Sequence, residues 1–272
     1  MAVVTTEVRE GIAWIEINRP KKLNALSSEV VATMRQAMTD LLADDAVRVI
    51  VIRGAGGNFS VGYDIAEEVE AGLARPEDWH AQLEKNVDLS LSIWSSTKPT
   101  IAAVDGWCLA GACEVAMACD MIVATEGAKF GEPEIRFGSG PVTLLMPFIL
   151  GQKKTNELLL TGDTIDAETA ERLGLVNHVV KAEDLESKVQ TLARKIALTP
   201  AVTLRLTKIA LTRAYEAMGL RAAVNNNLDV AATLNAAYAP EKAEFGELVK
   251  TKGLRAALNW RDSRYGKLSE EG

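Results

Sequence analysis

Histidine is nearly absent from this chain. Among 272 residues there are two, His80 and His178, and neither has a catalytic or metal-ligand motif around it. A Ser-His-Asp hydrolase and a His-ligated metal centre are both poorly supported. Cysteine is as sparse. Cys108, Cys113 and Cys119 fit no zinc spacing and read as small buried hydrophobes in a reducing compartment. Basic clusters are missing too. Thirty Lys and Arg stand against 37 Asp and Glu, a net charge of −7, which argues against nucleic acid as a partner. No apolar run is clean enough to span a membrane, since the best, from Trp107 to Ala124, is broken by Glu114 and Asp120. The start carries neither a signal-peptide nor a transit-peptide pattern, so the cytoplasm is the expected compartment.

What is present is an ordinary globular composition, 48% hydrophobic and 25% charged. Short apolar strands alternate with helical periodicity. Gly11 to Ile17, Val47 to Ile52, Thr100 to Val104 and Met121 to Ala124 read as strands. Ser27 is placed to cap a helix running to about Leu42, with Val31, Met34, Met38 and Leu41 at helical spacing. Asp64 to about Ala81 is acidic and irregular and reads as a flap or solvated loop, followed by a helix over Gln82 to Trp94. The alternation gives an α/β class. From about Thr199 the strand signal ends and helical periodicity takes over. The chain therefore divides into a core, residues 1–198, and a helical C-terminal region, residues 199–272, of the kind that covers a site or joins subunits.

The segment from Thr100 to Pro141 concentrates the chemistry. Glu114 and Glu134 sit among apolar neighbours, where a carboxylate needs a partner or a task. A helix beginning near Gly111 would aim its free N–H groups at whatever lies before it, a place to stabilise an enolate oxygen. Glu114 follows one turn later. A second glycine turn, Phe59-Ser60-Val61-Gly62-Tyr63-Asp64, offers a second donor at the Tyr63 N–H. Glu132, two residues before Glu134, is the rival for its role, since on a turn either could face solvent. Lys22 and Lys98 are candidates for phosphate contacts or plain surface lysines, and Trp79 and Trp94 read as packing residues.

These pieces resemble the crotonase superfamily, the enoyl-CoA hydratase/isomerase family. The matching segments are Asn18-Arg19-Pro20 through Asn24-Ala25-Leu26, Phe59 to Ile65, Ala102 to Asp120, Phe130-Gly131-Glu132-Pro133-Glu134-Ile135, and Leu160-Thr161-Gly162-Asp163, in the family's order and spacing. The resemblance implies a spiral of strand–strand–helix turns with C-terminal helices that build a trimer, often paired into a hexamer. It implies an acyl-CoA thioester ligand and no cofactor or metal besides. The thioester oxygen would lie between the N–H groups of Tyr63 and Gly111, and Lys22, Leu23, Val61, Tyr63, Asp64, Ile65 and Gly111 would line the coenzyme A and acyl site. Glutamates at the positions of Glu114 and Glu134 mark the family's hydratases, many other members keeping only one. The implied reaction is addition of water across C2–C3 of a 2-enoyl-CoA, with Glu114 as base and Glu134 delivering a proton to C2.

Three departures bear on the acyl pocket. Pro141 is followed by Val142-Thr143-Leu144-Leu145-Met146, where hydratases often carry a glycine-rich run. Ala110 and Ala112 replace frequent glycines. Trp107 and Tyr63 are larger than the residues common at their positions. The alternatives are another crotonase reaction, a double-bond isomerase or a β-hydroxyacyl-CoA lyase, and a CoA-binding protein without turnover. Intact Glu114, Glu134 and Gly111 speak against the last.

Overall fold

The chain winds in turns of strand, short strand and helix. The structure, a computed structural model, describes residues 2–269. It opens with an antiparallel hairpin, β1 (Val4–Arg9) and β2 (Ile12–Ile17). Ser27 then caps α1 (Ser28–Ala43), its Oγ accepting from the Val30 N–H at 3.3 Å. Next come β3 (Val49–Gly54), α2 (Ile65–Ala71) and α3 (Pro76–Trp94). The acidic stretch expected to be a loop is thus largely helical. Pro76 occupies the first turn, where its missing N–H costs nothing, and Trp79 and Leu83 bury the face it begins.

The following turns are more regular: β4 (Thr100–Val104), β5 (Trp107–Leu109) and α4 (Gly111–Ala118), then β6 (Met121–Thr125), β7 (Lys129–Gly131) and α5 (Met146–Thr161). β8 (Thr164–Asp166), α6 (Ala167–Arg172), β9 (His178–Val180) and α7 (Leu185–Ala197) complete the spiral. Four helices follow: α8 (Ala201–Ala217), α9 (Leu220–Ala236), α10 (Pro240–Lys252) and α11 (Leu254–Ser269). Met1 and the last three residues of the expected 199–272 region lie outside the described residues.

The larger sheet has the order β1-β2-β3-β4-β6-β9, parallel from β2 onward. Its central strands are apolar throughout because both faces are covered. Ala13, Ile15, Ile50, Ile52, Ala102 and Val104 pack toward α1, α3 and α4. Ile12, Trp14, Val49, Val51, Ile101 and Val123 face the opposite way, onto Val189 and Ala193 of α7. Each fully buried Ile or Val contributes roughly 1.5–3 kcal/mol.

The smaller sheet, β5-β7-β8, places the site. Cys108 pairs with Phe130, and an isolated bridge joins Ser60 to Cys108. Residues 60, 108 and 130 therefore stand side by side on successive turns. Three residues further along each turn come Tyr63, Gly111 and Pro133, the last followed by Glu134. The spiral thus gathers residues from three distant stretches of chain into one cluster.

Candidate active site

Glu114 lies in the first turn of α4 and has no solvent exposure; Glu134, on a 3-10 turn over Pro133–Phe137, is 6% exposed. Neither forms a salt bridge among the described residues, though Arg261 draws on Glu134 across the cavity wall. Glu114 Oε1 accepts from the backbone N–H of Val142 at 2.5 Å and of Thr143 at 2.8 Å, while its Oε2 has no partner among the described residues. Oε2 of Glu134 is likewise buried and unpartnered. Burial pushes the Glu114 carboxyl up to about 7 against the pull of those two N–H groups. Burial, and then the nearby Glu114, push Glu134 up to about 8. Two carboxyls with bare oxygens and pKa values near neutrality are equipped to exchange protons with a bound reactant.

The segment after Pro141 departs from the glycine-rich pattern, and the structure gives it a task. The N–H groups of Val142 and Thr143 hold Glu114, and Thr143 Oγ1 donates to Ser90 Oγ of α3 at 3.2 Å. Asn227 of α9 donates to the carbonyls of Pro141 and Val142 and fixes the segment from behind.

Glu132 is also buried, at 2% exposure, so neither glutamate of this turn faces solvent. Burial, then Glu114 and Glu134, hold the Glu132 carboxyl well above the usual carboxylate range. Glu68 on α2 is a further carboxyl on the cavity wall, raised to about 7 by burial. It was not legible while its stretch read as a loop.

The turn before α4 is tight. Ala110 stands at φ 53°, ψ −135°, a conformation that costs an L residue of order 1–3 kcal/mol and suits the glycine it replaces. Its N–H donates to Gly131 O at 2.8 Å. A Cβ on Gly62 would lie 2.6 Å from the Ala110 Cβ, so the two glycine turns are in direct contact. A Cβ on Gly111 would lie 2.1 Å from the Tyr63 ring, so the ring rests directly on that glycine. Among the described hydrogen bonds, neither the Tyr63 N–H nor the Gly111 N–H is given to a protein acceptor.

A cavity of about 640 Å³ opens beside this cluster. Lys22, Leu23, Val61, Tyr63, Asp64 and Ile65 all line it, together with Glu134. Gly111 does not reach its wall, because the Tyr63 ring covers it; Ala110 does. α11 contributes Leu254, Arg255, Leu258 and Arg261, residues that periodicity alone assigned only to a helical tail. Asp64 is tied by Arg19 Nη2 at 2.9 Å, with Lys22 Nζ at 3.5 Å, so it braces the wall rather than facing the cavity as a free carboxylate. Lys98 lies elsewhere: its Nζ caps the end of α1 through the carbonyls of Leu41 and Asp44. Trp79 packs as expected, at 7% exposure, and its ring also forms part of the cavity wall. The three cysteines are free and buried.

The family model described as enoyl-CoA hydratase/isomerase matches residues 7–246. The chain belongs to the enoyl-CoA hydratase/isomerase family. A crotonyl-CoA hydratase of Syntrophomonas wolfei is 37% identical over 211 residues, 76% of this chain and 80% of that protein. A short-chain-enoyl-CoA hydratase of Clostridium acetobutylicum is 32% identical over 255 residues, 92% of this chain and 91% of its own. A crystal structure of an enoyl-CoA hydratase/isomerase from Xanthobacter autotrophicus Py2 superposes with a TM-score of 0.94 at 41% identity, covering 96% of this chain and 98% of that one. The architecture expected from the sequence, the crotonase spiral with C-terminal helices, is the one shared with that crystal structure.

Proposed function

We propose that this chain is an enoyl-CoA hydratase that adds water across the C2–C3 double bond of a 2-enoyl-CoA. The observation that carries the reading is a pair of buried glutamates, each with an Oε2 that has no partner among the described residues: Glu134 on the cavity wall, and Glu114 held by the N–H of Val142, which also lines that wall. The relatives named above as hydratases support it.

In this reading the acyl thioester enters the cavity and its oxygen takes the N–H groups of Tyr63 and Gly111. Donors fixed by backbone stabilise the enolate as it forms, and loss of one such donor typically costs about 10²–10³-fold in rate. Oε2 of Glu114 and Oε2 of Glu134 hold the two hydrogens of the water. Glu114 takes one proton as the oxygen attacks C3, and Glu134 delivers its proton to C2. Burial and then the charge of Glu114 raise Glu134, so Glu134 holds its proton while Glu114 is ionised, the division the reaction needs. Protons are moved by carboxyls alone, so no metal or redox cofactor enters this scheme.

Lys21, Lys22 and Arg255 line the same cavity and suit the phosphates of coenzyme A. Leu198, Val202, Leu206 and Met218 are exposed on and beside α8, as are Val230, Leu234 and Tyr238 on and after α9. These exposed apolar side chains support assembly into a homo-trimer or a dimer of trimers. No helix among the described residues is long and apolar enough to cross a membrane. Three free thiols suit the reducing cytoplasm.

The test is product identity. Wild-type protein given crotonyl-CoA should form 3-hydroxybutyryl-CoA. Interconversion of vinylacetyl-CoA and crotonyl-CoA without hydration would make it an isomerase instead.

A further inference from the structure

Tyr63 enters the reaction scheme only through its backbone N–H, yet its side chain is placed in the same cluster. The phenolic oxygen is buried and has no hydrogen-bond partner among the described residues. Leaving such a group bare is costly, so the position calls for a ligand-side explanation. The ring rests on Gly111, and Tyr63 lines the cavity together with Glu134 and Val142. The carboxylate acting most strongly on the phenol is Glu114, followed by Glu68 and Glu134, and burial with these charges keeps its proton on far above the ordinary range. The group is a permanent hydrogen-bond donor.

A water about to attack C3 has four directions to satisfy. Its two hydrogens go to the bare oxygens of Glu114 and Glu134. One lone pair faces C3. The other needs a donor. The nearby backbone donors, Val142 N–H and Thr143 N–H, are both spent on Glu114 Oε1, and the Thr143 hydroxyl is given to Ser90. With the Tyr63 and Gly111 N–H groups assigned to the thioester oxygen, the Tyr63 hydroxyl is a buried donor in this cluster with no partner among the described residues.

We infer that the phenolic hydroxyl of Tyr63 is a third group of the water site, donating a hydrogen bond to the oxygen that becomes the C3 hydroxyl of the product. This rests on the hydratase reading above. In the hydration direction the bond holds the attacking oxygen in line with C3, and in the product it holds the β-hydroxyl. No proton leaves the phenol. The size of the residue at this position, which marks a departure in the sequence, then has a purpose within the chemistry.

Tyr63→Phe tests this, since it keeps the ring and the backbone N–H and removes only the hydroxyl. Three readouts are taken on the full chain: hydration of crotonyl-CoA, thermal melting, and the affinities for 3-hydroxybutyryl-CoA and butyryl-CoA. The expected result is a loss in kcat of roughly 10- to 100-fold with a smaller change in KM. Melting should be unchanged or raised, because the lost hydroxyl leaves no protein partner unpaired. The preference for the hydroxylated over the plain acyl-CoA should fall by roughly tenfold. A merely structural hydroxyl would lower melting and leave that preference alone. Wild-type kcat and an unchanged preference in the variant overturn the inference while the hydratase reading stands. Absence of hydration by the wild type overturns the hydratase reading and this inference with it.

Discussion

Two carboxylates stand at the two ends of α4, Glu114 fully buried and Asp120 open to solvent, and they are treated in opposite ways. Glu114, in its first turn, accepts two backbone N–H groups on one oxygen and leaves the other bare. Asp120, just past its last turn, is fully engaged. Its Oδ2 accepts from Thr100 N at 2.7 Å and Thr100 Oγ1 at 3.1 Å, and its Oδ1 is paired with the buried ammonium of Lys208 from α8. Asp120 lines a cavity of about 580 Å³, whereas the cavity of about 640 Å³ is lined by Glu134 and by Val142, whose N–H holds Glu114. The difference separates chemistry from architecture. A carboxylate whose lone pairs are all taken by the protein is a fastening, here of the C-terminal helices to the sheet. One left half-satisfied in the dark is available to a reactant.

Exchanging the treatment of the two sites should expose this division. Glu114→Gln should lower kcat by roughly 10²–10⁴-fold, read by loss of crotonyl-CoA absorbance, while the protein folds normally. Asp120→Asn should do the reverse. It removes the counter-charge of the buried Lys208 ammonium and should destabilise by about 1 kcal/mol in urea unfolding, the open side of Asp120 screening the pair, with activity per folded molecule little changed.

The pH dependence should separate the sites further. Hydration requires Glu114 ionised and Glu134 protonated, so kcat/KM should rise as pH passes about 7 and fall beyond about 8. A carboxyl raised by folding binds its proton more tightly in the native state. Its stabilising contribution is complete below its ordinary value of 4.5 and is lost as pH rises through the folded value. The smallest expected effect follows from that sign. Glu134→Gln should melt higher than wild type at pH 9 and not at pH 5, by a few degrees, where about 1 kcal/mol corresponds to roughly 2–4 °C.

Much of this site could be read before any coordinates. Ser27 as a cap, the strand at Thr100 to Val104 and the helix start at Gly111 stand where local signals put them, because capping and burial on both sheet faces leave plain patterns. The pairing of Glu114 with Glu134 rested on motif order, whereas its physical basis, the alignment of Ser60, Cys108 and Phe130, is a long-range register that no local window contains. The acidic stretch from Asp64 reads as a loop because its charges mask the short α2, and Glu68 on that helix stays hidden with it. Glu132 was visible but ambiguous, since a turn does not announce which side is buried. Lys98 carries no mark that distinguishes a helix-end fastening from a phosphate ligand. The contribution of α11 to the cavity depends on how the last helices fold back, which periodicity does not encode.

The most direct test of the account is the crotonyl-CoA absorbance assay on wild type, Glu114→Gln and Glu134→Gln, each with its melting curve. The account predicts hydration by the wild type and near-complete loss in both variants, with melting unchanged or raised. Retention of wild-type rates in either variant would contradict the central claim that these two bare carboxyls carry the reaction.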